Sequence, residues 1–302
     1  MLRSLRLFIQ LSRPLFVIGG ALVYALGAGI ARYLGVQINW GIYLLGQLYV
    51  SALQLSAHYL NEYFDAPADQ QNNRRTPFSG GSGAVGEGKI SRNTLLLIAF
   101  SALTIVASLT VILISIVPPT PLLVLILSFA VFGAIFYSTP PLRLVRSGYG
   151  ELTTSILVAN MVPLFAFYLQ SGDFHRLLPM STFPLTALHL AMMLSFSFPD
   201  YASDVKFEKK NLLVRMGWER TMVLHNSLVI GAFLLLILAI YFDLPAAIAF
   251  PAFLPLPLGL LQIWQMRRIA AGARPDWRAL GLTAVALFAS VTYMLAFAFW
   301  TR

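Results

Sequence analysis

The chain has 302 residues, of which 58% are hydrophobic and only 11% carry a charge. A soluble globular domain has about 25% charged residues, so this composition excludes an ordinary soluble fold and requires a surface that faces lipid. The absence of cysteine excludes disulfides, thiolate nucleophiles and cysteine metal sites. The net charge of +9 would suit a nucleic-acid partner, but the positions of the basic residues indicate another role for them.

The chain begins with a short stretch in which arginines stand among apolar residues. Arg3 and Arg6 lie between leucines before Arg13 and Pro14 interrupt the run. This pattern predicts an amphipathic helix at the membrane surface, rather than a cleaved signal peptide.

About nine apolar stretches follow, each close to the roughly 20 residues that a helix needs to cross a bilayer. Backbone polar groups in lipid must pair with each other, so such stretches become helices. The sequence therefore predicts an all-α, polytopic transmembrane bundle that forms one domain over residues 1–302. The predicted spans are residues 14–32, 38–62, 94–117, 120–137, 151–170, 183–200, 221–242, 246–265 and 279–300.

The segments between the spans alternate in charge. With the N-terminus in the cytoplasm, all of the 21 Lys and Arg residues except Arg32, Arg176 and Arg302 fall in cytoplasmic segments. Basic residues accumulate on the cytoplasmic side of membrane proteins, so this orientation is the predicted one. The basic residues then set topology and meet anionic lipid, and we expect no nucleic-acid partner.

The acidic residues also gather at one face, although acids contribute little to topology. All 12 Asp and Glu residues except Asp173 and Asp243 lie at or near the predicted cytoplasmic ends of the spans. In the first cluster, Asn61, Asp65 and Asp69 recur every four residues. On a continuous helix these three side chains would project from one face.

A proline interrupts this first cluster. Pro67 lacks a backbone N–H and disfavours helix for the residue before it, so it ends or kinks a helix. We therefore expect the helix to break there and Asp69 to reach the site from a loop.

The second cluster follows the sixth predicted span and contains Asp200 and Asp204, again four residues apart, just after Pro199. Paired carboxylates suit Mg²⁺, which takes one or two of them and completes its shell with water and substrate phosphate. Two such clusters facing each other would hold metal ions around one diphosphate. Carboxylates this close to lipid are costly without a partner, so they are candidates for a functional site.

The two clusters resemble a known family. Asn61-x3-Asp65-x3-Asp69 resembles the first aspartate-rich motif of the UbiA-type prenyltransferase superfamily, and Asp200-x3-Asp204 resembles the second. Residues 137–144, 148–151 and 210–217 and the pair Arg13-Pro14 are also similar to stretches of that family. The chain departs from the family pattern at Glu62, where many members have Asp, and at Pro67 and Pro199.

The resemblance implies a reaction and a set of site residues. Such enzymes use Mg²⁺ to transfer a prenyl chain from an allylic prenyl diphosphate to an acceptor, commonly an aromatic ring, in a cavity on the cytoplasmic side of the bundle. The implied metal ligands are Asn61, Asp65, Asp69, Asp200 and Asp204, of which Asp65, Asp200 and Asp204 are also the implied catalytic residues. The candidates for binding the diphosphate or the acceptor are Arg13, Arg74, Tyr137, Ser138, Arg143, Lys206 and Lys210.

Plainer interpretations exist for several of these residues. The basic ones also fit the positive-inside rule alone, and Tyr137 and Ser138 also suit a helix end and turn. The Gly-rich segment 77–88 lacks the Gly-Lys-Ser/Thr ending of a P-loop, so it is either a mobile loop that caps the site or a plain connector. His58, His189 and His225 are interpreted as structural.

Two other functions compete with this one. A transporter could line a cation or substrate pathway with acids, but transporter sites usually lie near the midplane of the membrane rather than at helix ends. A phosphoalcohol transferase would carry an Asp-x2-Asp-Gly-x2-Ala-Arg signature that the sequence lacks. The superfamily uses a dihydroxynaphthoate, a hydroxybenzoate, a homogentisate-like ring or a tetrapyrrole-type alcohol as acceptor, and the sequence leaves these alternatives open. Gly150-Glu151 and the Gly-rich segment are slightly more similar to the menaquinone-pathway branch, whose acceptor is 1,4-dihydroxy-2-naphthoate.

Overall fold

The structure, a computed structural model, describes residues 2–72, 75–86 and 89–302, without the side chain of Leu2. Within these ranges the regular secondary structure is helical, apart from one isolated bridge between Val85 and Ile90. The helices are α1 Leu2–Ser12, α2 Pro14–Tyr33, α3 Trp40–Gln70, α4 Arg92–Ile116, α5 Pro121–Phe136, α6 Gly150–Ile156, α7 Val162–Ser171, α8 Leu177–Ser197, α9 Tyr201–Lys206, α10 Leu212–Met216, α11 Trp218–Tyr241, α12 Ala246–Ala249, α13 Leu256–Ala270 and α14 Trp277–Thr301.

In the described ranges, six helices are long and apolar enough to cross a membrane: α2, α4, the continuous run of α6 and α7, α8, α11 and α14. A seventh span is obtained if α12 and α13, which meet at 41°, form one broken span. The apolar helix α5 has only 16 residues. The predicted all-α transmembrane bundle is therefore confirmed, whereas the predicted count of about nine spans is not.

Helix α3 has 31 residues but is not among these six. Its length would suffice for a span, and polar residues lower its hydropathy. Those polar residues recur along one face and include Gln54, His58, Asn61, Asp65 and Asp69, which line an internal cavity. These polar side chains of α3 therefore line the cavity rather than the surface that faces lipid.

The proline of the first acidic cluster does not end its helix, contrary to the expectation from sequence. Helix α3 continues through Pro67 to Gln70. A proline leaves the carbonyl four residues earlier, here that of Tyr63, without its helical N–H partner. Arg92 donates a hydrogen bond to this carbonyl at 3.2 Å, and its guanidinium lies 4.6 Å from the centre of the Tyr63 ring. Asp69 therefore stays on the helix, two turns from Asn61.

The bundle is held together by close approach of its central helices. Helices α2, α8, α11 and α14 contribute most of the largest apolar core, which includes Leu26, Leu188 and Val291. A side chain on Gly27 of α2 would collide with the backbone carbonyl of Pro163 in α7. Small residues that let helix backbones touch are typical of membrane bundles, where packing replaces the hydrophobic effect.

Candidate active site

A cavity of about 450 Å³ lies inside the bundle, between α2, α3, α5, α6, α7, α8 and α14. Most of its wall is apolar, with residues such as Leu53, Ile126, Met161 and Phe288. One end is polar and is formed by both acidic clusters. The carboxylates that line it there are Asp65, Asp69, Glu151, Asp200 and Asp204.

The two acidic clusters converge on one lysine. The ammonium nitrogen of Lys209 lies 3.1 Å from Oδ2 of Asp65 and 3.8 Å from Oδ1 of Asp204. Asp65 and Asp204 are nearly fully buried, at 3% and 6% exposure, and like charges this close in a protein interior repel strongly unless a cation lies between them. The structure thus brings the two predicted motifs to the same end of the cavity.

Lys209 was not among the residues selected from the sequence, which favoured its neighbours Lys206 and Lys210. Burial lowers the pKa of Lys209, but the carboxylates of Asp65 and Asp204 outweigh this and raise it above the usual value, so the side chain is a fixed positive charge. A second cation, Arg146, places Nη2 3.6 Å from Oδ1 of Asp65. Two cations therefore lie beside the buried carboxylate of Asp65, of which Lys209 lines the cavity.

The second acidic cluster is held by amide side chains. Asn72 donates to Oδ1 of Asp200 at 2.7 Å, and Asn211 donates to Oδ2 of Asp204 at 2.5 Å. Asn211 also caps α10 by accepting from the N–H of Val214. Burial raises the pKa of Asp200. These contacts fix the carboxylate of Asp200, just after α8, and that of Asp204, in α9.

The predicted residues Asn61 and Ser138 are hydrogen-bonded to each other beside Asp65, and Tyr137 precedes Ser138 in the chain. Asn61 donates to Oδ2 of Asp65 at 3.2 Å and to Oγ of Ser138 at 3.1 Å. Both contacts use its amide nitrogen, so its amide oxygen has no other partner shown among the described residues and can bind a ligand. Asn61 and Tyr137 line the cavity, while the buried Ser138 orients Asn61.

Residues 76–83, which include the first part of the Gly-rich segment, lie over the polar end of the cavity. We call residues 76–83 the roof. Phe78, Ser79, Gly80 and Gly81 line the cavity, and both Ser79 and the Gly80 backbone donate to Asp200. Gly80 and Gly81 have φ angles of 76° and 75°, which residues other than glycine rarely adopt. These residues of the segment thus line the polar end of the cavity, and whether the segment is a mobile cap stays a prediction.

The roof is hydrogen-bonded to the buried side chain of Glu62, one of the positions at which the sequence departs from the family pattern. Glu62 accepts from the backbone N–H and the hydroxyl of Ser82, at 2.6 Å and 2.9 Å. It also forms an ion pair with Arg13, which lines the cavity. Arg13 occupies the left-handed break between α1 and α2, with a φ of 48°. Glu62 of α3 therefore links the break between α1 and α2 to the roof.

The remaining predicted binding residues lie elsewhere. Arg143, Lys206 and Lys210 are exposed and are not among the described residues that line the cavity. Lys206 instead donates to Gln71 at 2.8 Å. Arg74 falls outside the described residues.

The donor set fits Mg²⁺ held jointly with a diphosphate. Among the described residues, no three His, Asp or Glu side chains are placed to bind one ion by themselves, and Lys209 lies between the carboxylates instead. Mg²⁺ needs only one or two carboxylates and takes its other ligands from water and phosphate. Oδ1 of Asp65 is buried and has no hydrogen-bond partner in the described part of the chain, so an oxygen ligand is available. Asp69, one turn further along the same face of α3, also lines the cavity and supplies another.

Comparison with solved structures shows the same fold over the full length. A UbiA homolog from Archaeoglobus fulgidus, solved bound to GPP and Mg²⁺, has a TM-score of 0.67 at 16% identity and covers 98% of this chain and 100% of its own. A UbiA homolog from Aeropyrum pernix K1, solved in the apo state, has a TM-score of 0.63 at 16% identity and covers 94% and 96%. A digeranylgeranylglyceryl phosphate synthase has a TM-score of 0.59 at 16% identity and covers 98% and 97%.

Curated protein sequences give no significant match. The family model described as the UbiA prenyltransferase family matches residues 21–291 of the chain. That range contains both acidic clusters, Lys209 and the roof. The chain therefore belongs to the UbiA prenyltransferase family, as the two aspartate motifs predict, and is an integral, multi-pass membrane protein.

Proposed function

We propose that the protein transfers a prenyl chain from an allylic prenyl diphosphate to an aromatic acceptor within the membrane, with Mg²⁺ as cofactor. One observation carries this proposal: Asp65 and Asp204 meet at Lys209 at the polar end of an otherwise apolar cavity. A prenyl diphosphate matches such a cavity, because its diphosphate can bind at the polar end while its hydrocarbon tail lies along the apolar wall.

The chain's own residues then bind and orient the diphosphate. Asn61, Asp65, Asp69, Asp200 and Asp204 hold Mg²⁺, and Mg²⁺ when bound neutralises the charge that develops on the departing diphosphate. Lys209 binds diphosphate oxygens directly, because cationic donors make strong hydrogen bonds to phosphate. Arg13, which also lines the cavity, is a second candidate, and Arg146 supports the site through its ion pair with Asp65.

The apolar wall serves the other half of the reaction. Departure of the diphosphate leaves an allylic cation, which water would destroy, so the cavity must exclude water. Aromatic faces stabilise a cation by about 0.5–2 kcal/mol. Phe196 contacts both Phe16 and Phe78 in the cavity wall, and these rings can supply such faces.

We further propose that the acceptor is 1,4-dihydroxy-2-naphthoate, as in the menaquinone-pathway branch, and that the active site opens to the cytoplasm. The first inference is supported by the similarity of Gly150-Glu151 and of the Gly-rich segment to that branch. The second is supported by the excess of basic residues in the segments around the site.

The test is to incubate the purified protein in detergent or nanodiscs with a labelled prenyl diphosphate, Mg²⁺ and a panel of acceptors. The panel contains 1,4-dihydroxy-2-naphthoate, 4-hydroxybenzoate and homogentisate, together with a glyceryl phosphate lipid of the kind named in one structural relative. We expect a prenylated aromatic product that requires Mg²⁺ and disappears in Asp65→Asn. Transfer to the glyceryl phosphate alone would contradict the aromatic acceptor.

A transporter remains the rival function. Reconstituted vesicles distinguish the two, since a transporter would take up labelled substrate unchanged, while an enzyme would convert it. Uptake without any conversion would overturn the proposed function.

A further inference from the structure

A compact aromatic wall lies beside the acidic end of the cavity. The rings of Phe16 and Phe196 meet edge to face with centres 6.0 Å apart. Phe78 of the roof stacks on Phe196, with centres 5.3 Å apart and planes 7° from parallel. All three residues line the cavity. A flat aromatic ring can pack against such a wall in offset or edge contact.

Gln54 of α3 presents an unused acceptor beside this wall. Its Nε2 donates to the backbone carbonyl of Phe16 at 2.8 Å, which fixes the orientation of the amide. The other amide atom, Oε1, is buried and has no hydrogen-bond partner within the described ranges. A side chain on Gly20 would collide with this oxygen, so the glycine leaves room for it. Gln54 can thus receive one hydrogen bond from a ligand.

His58 lies one helical turn further along the same face of α3. Its ring meets the ring of Phe16 edge to face at 5.9 Å and interacts with the backbone of Ser12. Its Nδ1 is buried and, among the described residues, unpartnered. A hydroxyl can donate to or accept from an imidazole nitrogen, so it suits either tautomer. His58 therefore has a free position for the same kind of ligand as Gln54.

Both side chains are close to where the diphosphate would bind. His58 precedes Asn61 by three residues, which is about 4.5 Å along the helix axis, and both line the cavity. A ring bound at Gln54 and His58 would therefore lie next to the reacting end of the prenyl chain. Two buried polar atoms without partners on one cavity face are costly to a fold, so they call for a ligand that satisfies them.

We propose that Gln54 and His58 form a subsite for the hydroxyl groups of a flat aromatic acceptor, whose ring packs against Phe16, Phe78 and Phe196. This inference rests on the proposed function and specifies its acceptor: a phenol or naphthol. Gln54 is uncharged and accepts rather than donates, so the pair matches hydroxyl donors and is poorly suited to a phosphate. His58, which the sequence alone indicates as structural, becomes a specificity-determining residue.

The experiment measures ligand binding to the full-length protein in detergent by calorimetry. The probes are 1-hydroxy-2-naphthoate and its methyl ether, 1-methoxy-2-naphthoate, which differ by the hydroxyl proton. The variants are Gln54→Met and His58→Phe, which keep the size of the side chain, and His58→Asn, which keeps a polar atom near Nδ1. The matched control is Gln47→Met, because Gln47 lies on the same helix, has an equally unpartnered Oε1 in the described part of the chain and lies outside the cavity lining.

We expect Gln54→Met and His58→Phe each to weaken binding of the hydroxyl probe by about tenfold, the effect of one buried hydrogen bond. Binding of the methyl ether should change less than about twofold, His58→Asn should recover most of the loss, and Gln47→Met should bind like the unaltered protein. An unchanged preference for the hydroxyl probe in both variants, or no binding of that probe to the unaltered protein, would overturn the subsite.

A parallel titration with a prenyl diphosphate and Mg²⁺ separates this inference from the proposed function. If the unaltered protein and all variants bind the diphosphate equally while the hydroxyl effects are missing, only the subsite is wrong. If the unaltered protein fails to bind the diphosphate, the proposed function itself fails and the subsite is overturned with it.

Discussion

The ammonium nitrogen of Lys209 lies 3.1 Å from Oδ2 of Asp65, although 144 residues separate the two in sequence. This contact joins the end of α3 to the loop after α9 and brings the two acidic clusters together. It also places one fixed positive charge among four aspartates.

The first prediction concerns two neighbouring lysines, of which Lys209 is in the site and Lys210 is exposed. Lys209→Met should raise the KM for the prenyl diphosphate by about 10–100-fold, since hydrogen bonds to charged groups contribute about 1.5–3 kcal/mol. Lys210→Met should stay within about twofold of the unaltered enzyme. Steady-state kinetics in detergent measure both, and equal effects at the two positions would contradict the placement of Lys209.

Loss of Lys209 should also make folding depend more on Mg²⁺. Without the ammonium, the buried carboxylates of Asp65 and Asp204 repel each other, and a bound cation would relieve this repulsion. Thermal unfolding of Lys209→Met should therefore show a larger increase in Tm on addition of Mg²⁺ than the unaltered protein shows. An equal increase would mean that Lys209 and Mg²⁺ do not act on the same carboxylates.

The second prediction concerns the carboxylates themselves. Asp65→Asn and Asp204→Asn should each lower kcat/KM by at least about 100-fold, as expected when a group that supports transition-state charge is removed. Both proteins should still elute as folded monodisperse species in size-exclusion chromatography. The control is Asp173→Asn, at an exposed position, which should keep its activity. Near-normal turnover in both site variants would exclude them as metal ligands.

The third prediction compares two arginines of one loop. Arg146 lies 3.6 Å from Asp65, whereas Arg143 is exposed. Arg146→Met should raise the KM for the prenyl diphosphate by about tenfold, since Asp65 loses a partly buried cationic partner beside the cavity. Arg143→Met serves as the matched variant and should have little effect. The reverse order would show that the loop changes conformation when substrate binds.

The fourth prediction tests the fastening of the roof. Glu62→Gln removes the ion pair with Arg13 and weakens the acceptor of the Ser82 N–H, because hydrogen bonds to a charged group are about twice as strong as neutral ones. Hydrogen exchange of the Ser82 amide, measured by mass spectrometry, should accelerate by about 5–10-fold.

The control for the roof is Glu219→Gln, at an exposed position on α11, which should leave exchange of Ser82 unchanged. If Glu62→Gln also leaves it unchanged, other contacts hold the roof. The best candidate for these is the hydrogen bond from Gln10 to the Ser82 carbonyl.

The sequence indicated the family, the membrane bundle and the convergence of the two acidic clusters, because each depends on residue type and spacing. It did not indicate which basic residues enter the site. Glu208, immediately before Lys209, has a φ of 54°, and Arg143 has a φ of 42°. A left-handed residue redirects the side chains that follow it, and nothing in the composition of these loops signals this.

The contacts of Glu62 and His58 could not be predicted from the sequence either. In the sequence Glu62 is one more acid of the first cluster, but its carboxylate accepts hydrogen bonds from Ser82 and pairs with Arg13. His58 reads as a lone structural histidine until Phe16 and Gln54 are seen beside it. In both cases the role depends on contacts with residues far away in the sequence, and the spacing of residues along the chain does not predict such contacts.

The hydrogen bond from Arg92 to the Tyr63 carbonyl has an evolutionary consequence. The arginine supplies the donor that the proline removes from this carbonyl, so positions 67 and 92 should change together among homologous sequences. Lineages in which residue 67 regains an N–H would be free to lose the arginine, and lineages that keep the proline should retain a long cationic donor at position 92.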